Sequence, residues 1–404
     1  MNSDVFLKVI GYGPLKAGTA ELDGGFLRIP RFTAVIGDNG TGKSVLSKLY
    51  CAFSSLEIGY VLNPQSISAD FSSFLGYLCS CFNLSKQYSS RGMNLEYRGQ
   101  YYSICVKYGS VSVNRTENQE WYRRRKYIYY PEERNLVLET PKEISRIIQL
   151  LVWDYKDASK SYTDGTAKLA GDYRFRYSKK ERKGFIIDNN GLEIPCDEAS
   201  SGFRFLIPLL VTSDYYGKYF RQDELTLLKK SYDTDRYRVL SEVTSPQLQG
   251  YLKEFFSSRY KMSFSEFEKK KIAEPIHKYV ESSLVQIVEE PELGLHPVNQ
   301  VEVLKRLIAS TPENGKLFIT TYSPYILSAV ENYNCAYDRY ISSNKIIPEI
   351  PKELMLPFED TAAYIIENGC IKSIMDDESR MVNGSRIDGC SVFLNSEFDR
   401  LMAD

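Results

Sequence analysis

The sequence predicts a mixed α/β fold, on three observations. A short apolar run, Phe32 to Ile36, leads through a glycine-rich loop into a segment with helical spacing, Ser44 to Phe53, whose Val45, Leu46, Leu49 and Phe53 share one face. Nearer the other end, strand and helix patterns alternate over Leu284–Glu289, Val298–Ala309, Leu317–Thr321 and Tyr325–Glu331, as parallel strands joined by helices do. Between these regions, Met93 to Thr116 alternates in short runs broken at Gly99 and Gly109, the pattern of antiparallel hairpins.

The remaining elements follow in order. Val5–Ile10 and Phe26–Ile29 read as strands around a turn-rich stretch, and Lys126–Tyr130 is a strand stopped by Pro131. Pro141 to Ala158 is amphipathic and helical. Tyr173–Tyr177 and Gly184–Ile187 flank a charged turn, and Asn189-Asn190-Gly191 makes another turn. Phe203–Val211 is apolar enough for a buried helix. Residues 212–280 change character, with little glycine and helical stretches at Ser245–Phe256 and Phe264–Lys278. The chain therefore divides into 1–211, a short helical insertion at 212–280, and 281–404.

Composition narrows the function classes. With 43% hydrophobic and 25% charged residues, wholesale disorder is excluded. Lys plus Arg number 51 against 52 Asp plus Glu, so any basic binding face must be local. The eight Cys form no CxxC pair, and His277 and His296 have no Cys or His at ligand spacing, so neither zinc nor a disulfide framework is expected. The start lacks the apolar core of a signal peptide, and no apolar run approaches the ~18 residues of a membrane span. The expectation is a cytoplasmic protein that does not enter a membrane. Nucleophilic Ser-His or Cys-His catalysis has no motif here, since GxSxG is absent.

Three motifs carry chemistry. Gly37-Asp38-Asn39-Gly40-Thr41-Gly42-Lys43-Ser44 fits GxxxxGK[ST] in full. Gly40 and Gly42 let backbone N–H groups wrap phosphates, Lys43 reaches the β- and γ-phosphates, and the Ser44 hydroxyl ligates Mg²⁺. Asp38, Asn39, Gly40, Thr41, Gly42, Lys43, Ser44 and Val45 are the expected ATP contacts. The strand Leu284–Glu289 ends in an acidic pair. Glu289 is placed toward Mg²⁺, and Glu290 toward the attacking water as general base. Third, Ser200-Ser201-Gly202 opens a helix, an anion-binding geometry that by itself is also a plain N-cap.

These motifs, with Glu290-Pro291-Glu292-Leu293-Gly294-Leu295-His296-Pro297 and Thr320-Thr321-Tyr322-Ser323-Pro324, stand in the order seen in ABC-type ATPases. The chain resembles the AAA-family branch found with OLD-family nucleases, RecF-like proteins and anti-phage defence systems such as PARIS. Tyr129-Tyr130-Pro131-Glu132-Glu133-Arg134 resembles that branch's Pro-Ala-Glu-Arg element. The resemblance implies a P-loop NTPase of ABC-ATPase type with an antiparallel β subdomain. It implies ATP and Mg²⁺ as cofactors and a head-to-tail homodimer, or higher oligomer, around two ATP molecules. Ser200, Ser201 and Gly202 match the signature that touches the partner's γ-phosphate, and Leu293, Gly294, Leu295 and His296 match the D-loop at the dimer seam. Tyr322 stands where many relatives carry the switch His, and Glu289 where most carry Asp. Gln65, Gln87 and Gln100 all remain open as the Q-loop glutamine.

The implied activity is slow, Mg-dependent ATP hydrolysis by a sensor or scaffold that holds a separate effector protein, in anti-phage defence or nucleic-acid surveillance. A RecF-like DNA-repair ATPase and a nearly inactive nucleotide-dependent scaffold are the alternatives. The basic runs Arg123–Lys126 and Lys179–Lys183 admit DNA as a partner. The stretch after Asn332 is shorter than the roughly 100 residues of the nuclease domain in OLD-type relatives, so the effector is expected on another chain. Asp376-Asp377-Glu378 is expected to be a solvated loop.

Overall fold

The computed structural model describes residues 4–63, 70–116, 124–139, 144–165, 167–222, 249–250, 281–383, 396 and 398–401. Along the chain these form β1 (Val5–Tyr12), β2 (Leu27–Ile29), β3 (Phe32–Gly37), α1 (Lys43–Leu62), α2 (Phe71–Phe82), β4 (Ser89–Arg98), β5 (Tyr102–Lys107), β6 (Ser110–Arg115) and β7 (Arg124–Tyr130). Next come α3 (Leu136–Glu139), α4 (Arg146–Ser159), β8 (Ala167–Lys168), β9 (Arg174–Ser178), β10 (Lys183–Ile187), β11 (Glu193–Pro195) and α5 (Ser201–Tyr219). The last part holds β12 (Glu281–Glu289), α6 (Pro297–Ser310), β13 (Lys316–Thr321), α7 (Pro324–Ser343), β14 (Thr361–Glu367), β15 (Cys370–Ser373), β16 (Met375–Asp376) and β17 (Met381–Val382).

The central sheet has the order β15-β14-β3-β13-β12-β7, with β15 antiparallel at one edge and the other five strands parallel. β3, β13 and β14 are buried almost throughout, because a parallel sheet is covered on both faces and its strands read as continuous apolar runs. A second, antiparallel sheet runs β2-β1-β4-β5-β6. In β1, Val5, Leu7 and Val9 face inward and alternate with half-exposed Phe6, Lys8 and Ile10, as expected of a sheet with one wet face. A small antiparallel sheet, β11-β10-β9-β8, stands before α5. The α/β class with an antiparallel β subdomain is therefore the fold the sequence predicts.

α1 holds the two large sheets together. Its Tyr50 ring lies 5.4 Å from Phe318 of β13, and its Phe53 stacks on Tyr97 of β4 at 5.7 Å with 6° between the planes. Each such buried side chain stabilises the fold by about 2–3 kcal/mol. α1 continues nine residues beyond the periodic segment read from sequence, because Glu57 has buried partners on the antiparallel sheet. Its carboxylate accepts from the Tyr97 hydroxyl at 2.8 Å and the Tyr101 N–H at 2.7 Å. Among the described helices α1 alone is long and apolar enough to cross a membrane, and it is the core helix behind the glycine-rich loop.

Several expectations change. Within the run that admits DNA, Arg125 is buried among Tyr50, Tyr97, Tyr127 and Glu57, and Lys126 pairs with Asp154 at 2.7 Å, so neither is free for a phosphate backbone. Both lie on β7, whose partner β12 comes from far along the chain. The helix expected from Pro141 begins at Arg146, and α2 was not singled out by its pattern. α5 runs to Tyr219, into the expected insertion, whose residues 223–248 and 251–280 lie outside the described residues, as do Gln65, His277 and Cys390. Asp376 closes a turn by accepting from the N–H groups of Glu378 and Ser379, in keeping with a solvated loop.

Candidate functional site

Four adjacent parallel strands deliver the site at their carboxyl ends, where open α/β sheets bind ligands. β3 opens the glycine-rich loop, β13 leads to Tyr322, β12 ends at Glu289-Glu290, and β7 leads to Pro131-Glu132-Glu133-Arg134. The loop needs its glycines. Gly40 has φ +77° with open space where a Cβ would be, and Gly42 has φ +113° with Pro14 Cγ 2.9 Å from a Cβ position. Asp38, Asn39 and Gly40 are exposed, Thr41 and Ser44 are half-buried, and Val45 is buried in the first turn of α1. The Thr41 hydroxyl donates to the Asp38 carbonyl at 2.8 Å.

Lys43 is buried, and its ammonium donates to the loop's own carbonyls, Gly37 O at 2.6 Å and Asp38 O at 3.1 Å. The same nitrogen lies 3.5 Å from the centroid of the Tyr322 ring. Burial lowers its pKa, and Glu290 is the foremost charge opposing that shift. The cation thus waits in a cradle of carbonyl dipoles and a π face, both weaker partners than a phosphate.

The acidic pair separates into two environments. Glu289 is 2% exposed; it accepts from the Ser47 hydroxyl at 2.7 Å and the Glu132 N–H at 3.3 Å. Its extra methylene, relative to Asp, reaches Ser47, which lies three residues past Ser44 on α1. Glu290 is half-exposed and carries φ +45°, a strained conformation for a residue with a side chain. Desolvation, then Glu132 and Glu292, push its pKa up to about 7, while Lys43 pulls it back.

Arg134 holds this backbone. It is 1% exposed and donates to the carbonyls of Glu289 at 2.7 Å, Glu290 at 2.8 Å, Pro131 at 3.2 Å and Phe205 at 3.1 Å. One guanidinium therefore ties the end of β12 to the end of β7 and to α5. Burial lowers its pKa to about 10, so it stays charged at neutral pH. Glu292 accepts from the Thr321 hydroxyl at 2.8 Å and the Tyr322 N–H at 2.7 Å, which fixes where Tyr322 leaves β13. Desolvation and Glu290 push the Tyr322 hydroxyl up to about 12.

The other motifs lie on α5 and α6. Ser200 is the extended N-cap of α5, and both it and Ser201 are exposed; the Ser200 side chain makes no cap bond. Gly202 is in close contact with the stretch 293–296: a Cβ there would stand 2.7 Å from Gly294 O. Leu293 N–H donates to Glu290 O and Leu295 N–H to Glu292 O. Gly294 (φ +72°) and His296 are exposed, and Leu293 and Leu295 half-buried. Gln300 links this stretch to α7, donating to Leu295 O at 2.9 Å and accepting from the Ser323 hydroxyl at 2.6 Å. Among the described residues no hydrogen bond joins Ser200 or Ser201 to the glycine-rich loop.

Sequence reasoning singled out Lys43, Glu289, Glu290 and Tyr322, and the structure brings them together. It missed Ser47, Glu132, Arg134 and Gln300 as site residues. The Pro131–Arg134 segment was the one available signal. Gln87 lies in a 3-10 turn before β4 and Gln100 in the β4–β5 turn.

ATP and Mg²⁺ can be tested against these residues. The exposed loop with positive φ at Gly40 and Gly42, and an ammonium held only by carbonyls and a ring, fit a polyphosphate. No group of three or more His, Cys, Asp or Glu among the described residues could hold a metal ion on its own. Ser44 and Glu289 are the residues that would stand nearest a Mg²⁺ carried by a nucleotide.

No family model and no curated protein matches the chain. Solved structures do. It is similar to an SMC head domain from Thermotoga maritima, 10% identical, over 92% of this chain and 97% of that one, with a TM-score of 0.36. An SMC head bound to the C-winged helix domain of ScpA is 12% identical over 94% and 99%, with a TM-score of 0.35. An SMC head with an extended coiled coil, bound to the C-terminal domain of ScpA derived from Pyrococcus furiosus, is 10% identical over 91% and 95%, with a TM-score of 0.34. These scores are low, and the candidate site rests on its own geometry: an α/β fold with a glycine-rich loop, a buried lysine and an acidic strand end beside it.

Proposed function

We propose that this chain is an ABC-type ATPase that binds and slowly hydrolyses Mg-ATP in a head-to-tail dimer. One observation carries this reading: the glycine-rich loop, Tyr322, the Glu289-Glu290 pair and the Pro131–Arg134 segment converge at the ends of four neighbouring strands. Lys43 exchanges two carbonyls and a ring for the β- and γ-phosphates. Glu290, with its pKa near neutrality, takes the proton of the attacking water. Arg134 keeps the Glu290 backbone in its strained position. Mg²⁺, brought with the nucleotide, supplies charge neutralisation on the phosphates.

Two features support the finer points. Among the described residues the exposed Ser200-Ser201 helix start makes no hydrogen bond to the glycine-rich loop, which suits recognition of a γ-phosphate held by a second copy. Tyr322 cannot shuttle protons at neutral pH with its hydroxyl pushed up to about 12, which suits slow turnover. Slow turnover in turn suits a sensor or scaffold that keeps a separate effector bound until triggered, in anti-phage defence or nucleic-acid surveillance. A nearly inactive scaffold is the second reading, favoured by the Lys43–Tyr322 contact.

The test is Glu290→Gln, measured for ATP hydrolysis and for oligomeric state with ATP. The expected result is ATP retained in a closed dimer. Wild-type hydrolysis by this variant would remove Glu290 as base. Affinity purification from the native host with and without ATP tests the effector, and recovery of the ATPase alone in every state would remove it.

A further inference from the structure

A cavity lies behind the helix start at Ser200-Ser201. It has a volume of about 370 Å³ and sits between α3, the end of α4, the β9–β10 turn and Cys196-Asp197, which lead on to Ser200. Four cations line it: Lys156, Lys160, Arg182 and Lys183, against the single carboxylate of Asp197. None of the four makes a salt bridge among the described residues. Two neighbouring carboxylates pair elsewhere, Glu193 with Arg176 and Glu139 with Arg204. Buried Tyr155, Ser159, Gly184 and Cys196 and half-buried Tyr177 form the walls.

Lys156, Lys160 and Arg182 are exposed and Lys183 lies 5.4 Å from the Phe185 ring centroid, so the four like charges share one rim with no ion-pair partner among the described residues, and Arg182 adds backbone strain with φ +57°. Lysines near the end of α4 do favour that helix's negative pole, which accounts for Lys156 and Lys160 in part. It does not account for Arg182 and Lys183, which come from the opposite wall. Part of the basic run Lys179–Lys183 is thus directed at a cavity.

We propose that this cavity binds a small phosphorylated ligand of about mononucleotide size. The four cations take the phosphate, and the Tyr155 and Tyr177 rings flank the rest. The volume falls within the usual 300–1,000 Å³ of ligand clefts. If the signature assignment above holds, the site also regulates hydrolysis. Its walls at Asp197 and α3 reach the start of α5 through the chain itself and through the Glu139–Arg204 pair.

The test is calorimetry with 5′-AMP, with inorganic pyrophosphate and with a short DNA duplex, on wild type and Lys43→Ala, each with and without Lys160→Ala plus Arg182→Gly. Arg182→Gly removes the charge and relieves the backbone, so it leaves the fold intact. The expected result is binding of AMP or pyrophosphate in the Lys43→Ala protein, weakened at least about tenfold by the Lys160/Arg182 pair of changes. The comparison of the two probes tells a nucleotide from a free phosphate ligand. A loss that follows Lys43 alone, or no binding at all, overturns the proposal. Binding of duplex DNA without the small probes overturns it in favour of a nucleic-acid face. The readout does not depend on ATP hydrolysis, so a failed ATPase assignment would leave this outcome legible.

Discussion

The phosphate-loop end and the signature end of this chain are built on opposite principles. At the loop end the key polar groups are engaged: Lys43 with two carbonyls and a ring, Glu289 and Glu292 with two donors each, Arg134 with four carbonyls. At the signature end Ser200 and Ser201 stand exposed on the first turn of a 19-residue helix. A site meant to work alone would converge both ends. Here one end is preorganised around charge and the other is exposed, which fits the proposal of a composite site divided between two copies.

Breaking the engaged end has the largest consequences. Glu290→Gln removes the proposed base and is expected to slow turnover by about 10²–10⁴-fold, read by phosphate release. In wild type the same rate should rise with pH through about 7, as Glu290 loses its proton. Lys43→Ala removes the cation on the β- and γ-phosphates and should weaken ATP binding by about 100-fold or more in calorimetry. Arg134→Ala orphans four carbonyls and is expected to cost roughly 3 kcal/mol in urea unfolding, whereas exposed Glu133→Ala should cost under about 0.5 kcal/mol.

Smaller effects sharpen the comparison. Because the folded pKa of Glu290 lies above its ordinary value, the folded protein holds a proton the unfolded chain has lost between the two. Stability present at low pH is therefore lost as pH rises through about 7. Glu290→Gln should raise the melting temperature by roughly 2 °C at about pH 8 and leave it unchanged at about pH 4. Tyr322→His, which restores a side chain that titrates near neutrality, should speed turnover several-fold, and an unchanged rate would mean that the tyrosine does not limit it.

Much of this was legible in the sequence. The loop spacing named Lys43 and Ser44, and an apolar strand ending in two glutamates named Glu289 and Glu290. Arg134 was not legible as a clamp, because its partners are backbone carbonyls of β7, β12 and α5, and only the fold brings those ends together. That Arg125 and Lys126 are engaged inside the fold was not legible, because a run of charges carries no sign of which face is buried; β12, which pairs with that strand, lies more than 150 residues later. The two adjacent glutamates were given different tasks from the sequence; what needed the structure is their different surroundings, Ser47 at Glu289 and a strained φ at Glu290.

Whether ATP is hydrolysed between two copies, as proposed, is tested by equal amounts of Lys43→Ala and Ser201→Arg chains. Each variant alone lacks a working site, while a mixed dimer has one, combining the loop of the second with the signature of the first. Phosphate release from the mixture should reach about a quarter of the wild-type rate, since half the dimers are mixed and each carries one site of two. A mixture no faster than the variants assayed separately, or Ser201→Arg chains that hydrolyse ATP as wild type does, would contradict it.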